Sequence, residues 1–373
     1  MMPDYTAGAM PHNFRSRGYR VAAMAALAYS LVIIYASLQP FSGWRMESTP
    51  FGAFLFAPWP RWITVEDIGF NFAAYLPLGF LLTLTLCARL HPRSAALLSA
   101  VACAVLSISL ESAQQYLPMR IASATDVLVN ACGGTLGALI APLFAPGHRF
   151  GERLALLRSN AFIGGPRGDA VLVLAGLWLL TQLHAAPINM GNGDFRSSLE
   201  LAARFAYTPE TYRYAEAGVV MLSILGMGLL LASVARNIGW DYWRALLLLI
   251  TGAAVLKAAA AWLILRTPTP WNWLTPGFVM GLVAAVLLLL PLVMLPPRGR
   301  GLAALLALAS AVILVNCTPE NPYRSVPIHL LPGRIGHFLS FSSMIRALSD
   351  LWPFLTLLFL LVSLPLRYAP NRR

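Results

Sequence analysis

Charge is what this chain has least of. Only 11% of its 373 residues are Asp, Glu, Lys or Arg, against roughly 25% in a typical soluble protein. With 58% hydrophobic residues and a mean hydropathy of +0.67, polar side chains are too few to cover a water-facing surface. That excludes the two or three soluble domains that length alone would suggest. Lysine is nearly absent: Lys257 stands alone beside 26 arginines. The formal net charge is +12, yet the arginines are scattered between apolar runs rather than gathered into a groove. No nucleic acid is expected as a partner. Cys87, Cys103, Cys132 and Cys317 form no CxxC pair and have no histidine at zinc-ligand spacing, so neither a disulfide nor a metal site is expected, and no cofactor. HExxH, GxSxG and the Walker GxxxxGK[ST] are missing, as is an Arg/His set of the lipid-phosphatase kind. These absences argue against a zinc protease, an α/β-hydrolase and a P-loop ATPase.

What is present is a series of long apolar runs. A membrane helix needs about 20 largely apolar residues. On that criterion the chain reads as an all-α, polytopic helical bundle of about ten spans, near 19–38, 67–89, 95–115, 123–145, 169–186, 212–236, 243–265, 273–295, 301–317 and 351–366. The first follows Arg15, Arg17 and Arg20 but is too long for a signal-peptide core, and no small-residue cleavage site follows it, so it is expected to be retained. Alternating the spans from a cytoplasmic N-terminus puts most arginines inside and most acids outside. The positive-inside rule therefore places both termini in the cytoplasm of a bacterial inner membrane. The expected organisation is a tail over 1–18, a four-helix domain over 19–146 and a cytoplasmic linker over 147–168. A second bundle of about six helices follows over 169–373, with an outer amphipathic segment near 326–350 lying in the interface.

Polar residues concentrate in three of these helices, toward their outer ends. Span 2 opens DIGFNFAAYLPLGF, which puts Asp67 and Asn71 at i and i+4, with Pro77 below them as a source of a kink and a freed carbonyl. Span 3 ends SISLESAQQYL, with Ser107, Glu111, Gln114 and Gln115 along a stripe. Span 4 opens SATDVLVNACGGTLG, and Asp126, Asn130, Gly133 and Gly137 share one face. Gly133 and Gly137 make a GxxxG spacing that lets another helix approach closely. Asp67, Glu111 and Asp126 would face Arg120 from the loop between spans 3 and 4. Ionisable groups in membrane helices are costly and turn toward the bundle interior or a wet cavity.

The ordered set DIGFNFAAYLPLGFLL, ESAQQYLPMR and SATDVLVNACGGTLG resembles the VanZ-like family of small membrane proteins, over roughly residues 20–145. The resemblance implies a multi-pass membrane protein of the cell envelope, linked in some members to glycopeptide or lipopeptide resistance, with no settled mechanism or catalytic residues. Three readings of the polar cluster stand open: hydrogen-bonded glue between helices, a binding or transport site, or a catalytic site. The leading expectation is a non-enzymatic protein that recognises an envelope lipid or other amphiphile through Asp67, Asn71, Glu111, Gln114, Gln115, Arg120, Asp126 and Asn130. In it, Arg120 contacts an anionic head group. The alternatives are an enzyme acting on a lipid-linked envelope precursor, with Glu111 or Asp126 as general base, and a proton-coupled carrier. Oligomeric state is not legible.

Elsewhere the readings are blander. Lys257 inside span 7 is read as an ion pair with Glu216 or as snorkelling toward the interface. His184, His329 and His337 read as solvated loop residues, and the tryptophans near helix ends as an aromatic belt. The polar run Asn189, Asn192, Asp194, Arg196 and Glu200 reads as a solvated loop.

Overall fold

The computed structural model describes residues 12–364, apart from 40, 46–49, 51, 59–64, 119, 146–147, 185–189, 197–198, 201–202, 205, 264–268 and 320–334. The side chains of 12–18, 65–67, 263 and 335–343 also lie outside the described set. Eleven α-helices occur among the described residues: α1 His12–Leu38, α2 Val65–Leu86, α3 Pro92–Gln114, α4 Ala124–Ile140, α5 Arg149–Ala161, α6 Pro166–Thr181, α7 Pro209–Ser233, α8 Trp240–Leu263, α9 Pro276–Leu292, α10 Pro297–Cys317 and α11 Ile335–Ser363. Among these residues there is no named strand, only an isolated bridge between Phe162 and Ala235.

Proline sets many of the starts. α3, α6, α7, α9 and α10 each begin with Pro in the first turn, where its missing N–H costs nothing and its fixed φ suits the helix. Thr208 and Thr275 cap α7 and α9 by accepting backbone N–H groups. Hydropathy windows pass over these prolines, which is why most expected spans begin a few residues late.

Eight helices are long and apolar enough to cross a bilayer. Their surfaces are inverted relative to a soluble protein. α3 exposes Leu97, Leu98, Val101 and Val105 while burying Ser99, Ser107 and Glu111; α4 exposes Leu128, Leu136 and Leu139 while burying Asp126 and Asn130. Only a hydrocarbon solvent favours that partition. The chain is a polytopic helical membrane protein.

Three expectations change. α6 has 16 residues and α9 has 17, whereas α4, also 17, is carried on to Phe144 by a 3-10 turn; at 1.5 Å per residue α6 and α9 each reach about 25 Å against a core of about 30 Å. The segment expected to lie in the interface before a span at 351 is continuous with that span from Ile335 onward, since α11 runs unbroken to Ser363 with Pro353 inside it. The part over 326–334 lies outside the described residues. Finally, the stretch 147–168 is not plain linker but holds α5, whose first and last turns carry Glu152 and Arg158 in register with the helix dipole.

The chain divides into two compact units after Ser159, the second also taking α11 from Ser342. In the first, α4 packs against α2 and α3, and α1 against α2. In the second, α7 is the central helix, buried nearly all round and packed against α9 and α10, with α6 and α8 alongside.

Candidate functional site

The site in the first unit begins with glycine. A Cβ added at Gly133 would lie 2.2 Å from the Phe72 carbonyl oxygen, and one at Gly137 2.0 Å from that of Leu76. One at Gly79 of α2 would meet the Gly134 carbonyl oxygen at 1.9 Å. Only glycine at these positions lets the α2 and α4 backbones touch. On the opposite flank, α3 presents a ridge at four-residue spacing, Ala95, Ser99, Cys103, Ser107 and Glu111, all buried. The three helices therefore converge, as equal depth alone could not establish.

Convergence builds a hydrogen-bonded ladder. Asn130 Nδ2 donates to Ser107 Oγ at 2.9 Å. The Tyr75 side chain of α2 lies close to the same Ser107. α2, α3 and α4 thus meet around one serine. Higher up, Glu111 Oε2 accepts the Ser123 N–H at 3.0 Å, while Ser123 Oγ accepts the Thr125 N–H at 3.2 Å. Ser123-x-x-Asp126 has the spacing of a capping box, in which Asp126 would reach back to the Ser123 amide. Here Glu111 from the neighbouring helix accepts that amide. Glu111, Asp126 and Asn130 are only 5%, 8% and 5% exposed.

The remaining expected residues divide. Arg120 does not stand free to meet a head group: one guanidinium nitrogen donates to the carbonyls of Ala36 at 2.9 Å and Gln39 at 3.3 Å, satisfying the end of α1. Burial lowers its pKa, and the Glu111 charge pulls the other way. Gln114 Nε2 donates to the Ser37 carbonyl, and Gln115 Nε2 to that of Pro50. These three long side chains tie α1 and the following loop to the end of α3. Asn71 lies half-buried on α2, and the Asp67 side chain lies outside the described residues. Pro77 sits inside α2, and the Tyr29 hydroxyl of α1 donates to the nearby Ala74 carbonyl at 2.8 Å. Tyr29 and Tyr75 escaped sequence reasoning; a tyrosine amid apolar residues, whose hydroxyl must find a partner when buried, was the available signal.

What the arrangement leaves over is acceptor capacity. Asn130 Oδ1 and Thr125 Oγ1 are buried without a hydrogen-bond partner among the described residues. Beside them lies the Asp126 carboxylate. No cluster of His, Cys, Asp and Glu suited to a metal ion occurs among the described residues.

The second unit holds a polar centre that corrects the solvated-loop reading for Asn192, Asp194 and Arg196; Glu200 is exposed as expected, and Asn189 lies outside the described residues. Met190, Gly191, Asn192 and Gly193 are buried, and the chain turns through Gly191 at φ 80° and Gly193 at φ 71°. Side chains from four helices secure it. Trp178 Nε1 of α6 donates to the Met190 carbonyl at 2.8 Å, and Asn192 Nδ2 donates to Ser223 Oγ of α7 at 2.8 Å. Asn316 Oδ1 of α10 accepts the Phe195 N–H at 2.7 Å, and Asp350 Oδ1 of α11 accepts the Asp194 N–H at 3.2 Å. Arg196 pairs with Asp194 at 2.6 Å. Burial alone would raise the Asp194 carboxyl, but the Arg196 hydrogen bonds and charge bring it below the usual carboxylate range. Lys257 is 4% exposed, which rules out snorkelling to a surface, and Glu216 is within its electrostatic reach. Glu216 Oε2 accepts from Thr275 Oγ1 at 2.7 Å.

A helical membrane bundle with a polar ladder at one end of α2–α4 is the class of protein these features define. Within it, residues 13–145 match the family model described as VanZ/LLP1. The resemblance carried by the three sequence stretches thus holds over α1–α4, and α5–α11 lie beyond the matched domain. No curated protein and no solved structure matches the chain.

Proposed function

We propose that the first unit recognises the head group of an envelope amphiphile through the buried acceptor face of α3 and α4. The carrying observation is Asn130: buried, bonded through Nδ2 to Ser107, and without a partner for Oδ1 among the described residues. An unmatched buried acceptor costs about 1–3 kcal/mol. Polar contacts between membrane helices return on average only about 0.6 kcal/mol. Helix packing alone is therefore a poor reason to keep such a group, and a ligand that donates to it is a better one. With Asp126 and Thr125 alongside, the face suits hydroxyl, amide or ammonium donors, with Asn71 and Asp67 of α2 as further contacts. Arg120, committed to α1, supports the site rather than holding an anionic group.

Both termini lie in the cytoplasm in this reading, so the face opens toward the outer leaflet of the bacterial inner membrane. Lipid-linked envelope precursors are exposed there, and glycopeptides and lipopeptides act there. The test is native mass spectrometry of the purified protein with its retained lipids, comparing wild type with Asp126→Asn and Asn130→Leu. One lipid species should stay with wild type and be lost from both variants while melting temperatures hold. Equal lipid profiles with melting points lowered by several degrees would reduce the ladder to packing.

A further inference from the structure

α5 is too short to cross a bilayer: its 13 residues span about 20 Å against a hydrocarbon core of about 30 Å. It also carries Arg149, Glu152, Arg153 and Arg158. What precedes it fixes its place. α4 and the 3-10 turn after it carry a span to Phe144, so the chain reaches a bilayer face there. Gly151 then sits directly on that turn. A Cβ at Gly151 would fall 2.3 Å from the Ala145 carbonyl oxygen and 2.5 Å from that of Phe144. The Phe150 ring stacks on Phe144 at 6.2 Å, and Phe144 meets Phe80 of α2 edge-on at 5.3 Å. The first turn of α5 is thereby held at the depth where α4 ends, at the opposite end of α4 from Asp126.

The side chains divide in a way that suits this depth. At about 100° per residue, Phe150, Leu154 and Leu157 fall within about 60° of one another. Arg149 and Arg153 border that face on one side and Arg158 on the other, while Glu152 and Ser159 lie opposite. Of the large apolar side chains of α5, only Leu156 falls off the face. Phe150 and Leu154 are 54% and 51% exposed. Arg149 and Arg153 are exposed as well, and neither guanidinium has a partner among the described residues. A helix pinned at the edge of the hydrocarbon layer covers such a face with lipid. Arginines beside it lay their methylene stems along the apolar side and raise their guanidinium groups to the depth of the phosphates. A zwitterionic surface offers these two cations no net counter-charge, whereas an anionic one does.

We propose that α5 lies in the membrane interface and binds anionic phospholipid, with Phe150 and Leu154 in the acyl boundary and Arg149 and Arg153 on the head-group phosphates. Glu152, on the side away from the lipid, does not oppose that contact. The surface belongs to the leaflet on which α4 ends. The α2–α4 face lies at the other end of that helix, so neither reading depends on the other.

The full chain in nanodiscs of phosphatidylglycerol or of phosphatidylcholine provides the test. Two quantities are read: hydrogen exchange over 149–161, and the lipid retained in native mass spectra from an equal mixture. Exchange across α5 should be at least about fivefold slower in phosphatidylglycerol, the preference that one basic side chain near an anionic surface carries. Phosphatidylglycerol should also be enriched on the protein. Arg149→Gln combined with Arg153→Gln should remove both effects, and Leu154→Gln should speed exchange in both lipids. All three positions are exposed, so these variants keep the fold. Arg89→Gln combined with Arg93→Gln removes an exposed pair at the same end of the bundle, where α2 ends and α3 begins, and should leave α5 unchanged. Equal exchange of α5 in the two lipids overturns the proposal. Equal loss of phosphatidylglycerol from both arginine pairs does so too, because surface charge alone then sets the preference. If soluble glycerophosphoglycerol slows α5 exchange in phosphatidylcholine discs, the ligand is a free phosphate rather than a lipid surface, and the proposal falls.

Discussion

Glu111 shows how much of a residue's setting its position in the sequence leaves out. Its place among acids suggested a ligand-facing carboxylate or a general base. Its hydrogen bond instead closes the first turn of α4 from outside, across twelve residues of chain. A carboxylate accepting a helix N-terminal amide is worth about 1.5–3 kcal/mol, with a further fraction from the helix dipole. Glu111→Ala should therefore lower the melting temperature clearly, and Glu111→Gln less, because Gln keeps the acceptor and loses only the charge. Thermal melts of both variants beside Asp126→Asn check the order. Identical melting of Glu111→Ala and wild type would remove Glu111 from the frame of the bundle. Lys257 tells the reverse story: a residue open to snorkelling on sequence grounds proves buried, with Glu216 as counter-charge.

At the scale of elements, α2 and α4 depend on backbone contact. Their closest approaches run through Gly79, Gly133, Gly134 and Gly137, where a methyl group has no room. Gly137→Ala should cost about 1–3 kcal/mol, the range for forcing extra carbon into a packed interior. Gly69→Ala in α2, which meets nothing within 4 Å, should be neutral or slightly stabilising. Paired melts in one detergent separate a steric effect from a generic one. If the two substitutions prove equal, the glycine contact does not hold α2 to α4. The GxxxG spacing was legible in the sequence; the partner helix was not, because nothing in α4 distinguishes a neighbour in the same chain from one in another. α6 and the Met190–Asp194 segment were harder still. Gly, Asn and Asp at NMGNGD look like any water-exposed turn, and only the side chains of α6, α7, α10 and α11 make burying that segment possible.

For the whole molecule, the testable quantity is topology. Eight helices are long enough to cross, and α6 and α9 are the two short ones. Both eight and ten crossings return the chain to its starting side. The arginine distribution carries the expectation that this side is the cytoplasm. A fluorescent-protein fusion at the C-terminus should glow, and an alkaline phosphatase fusion at the same place should be inactive. The opposite pair of results would mean either an inverted chain or an odd number of crossings with one short helix not traversing, and the same fusions at the N-terminus tell the two apart.

Composition and periodicity by themselves determined that this is a helical membrane protein and where most of its helices run, and three motif stretches carried the resemblance over α1–α4. Those properties are summed along the chain: apolar length decides crossing, and four-residue spacing decides which side chains share a face. Tertiary structure alone decided that Glu111 caps α4, that Arg120 ends α1, and that a polar centre lies in the second unit. A hydrogen bond between Glu111 and Ser123, or Asp194 and Asp350, has no signature in either partner's local sequence. It depends on two backbones arriving within 3 Å or so of one another, and only packing brings them there.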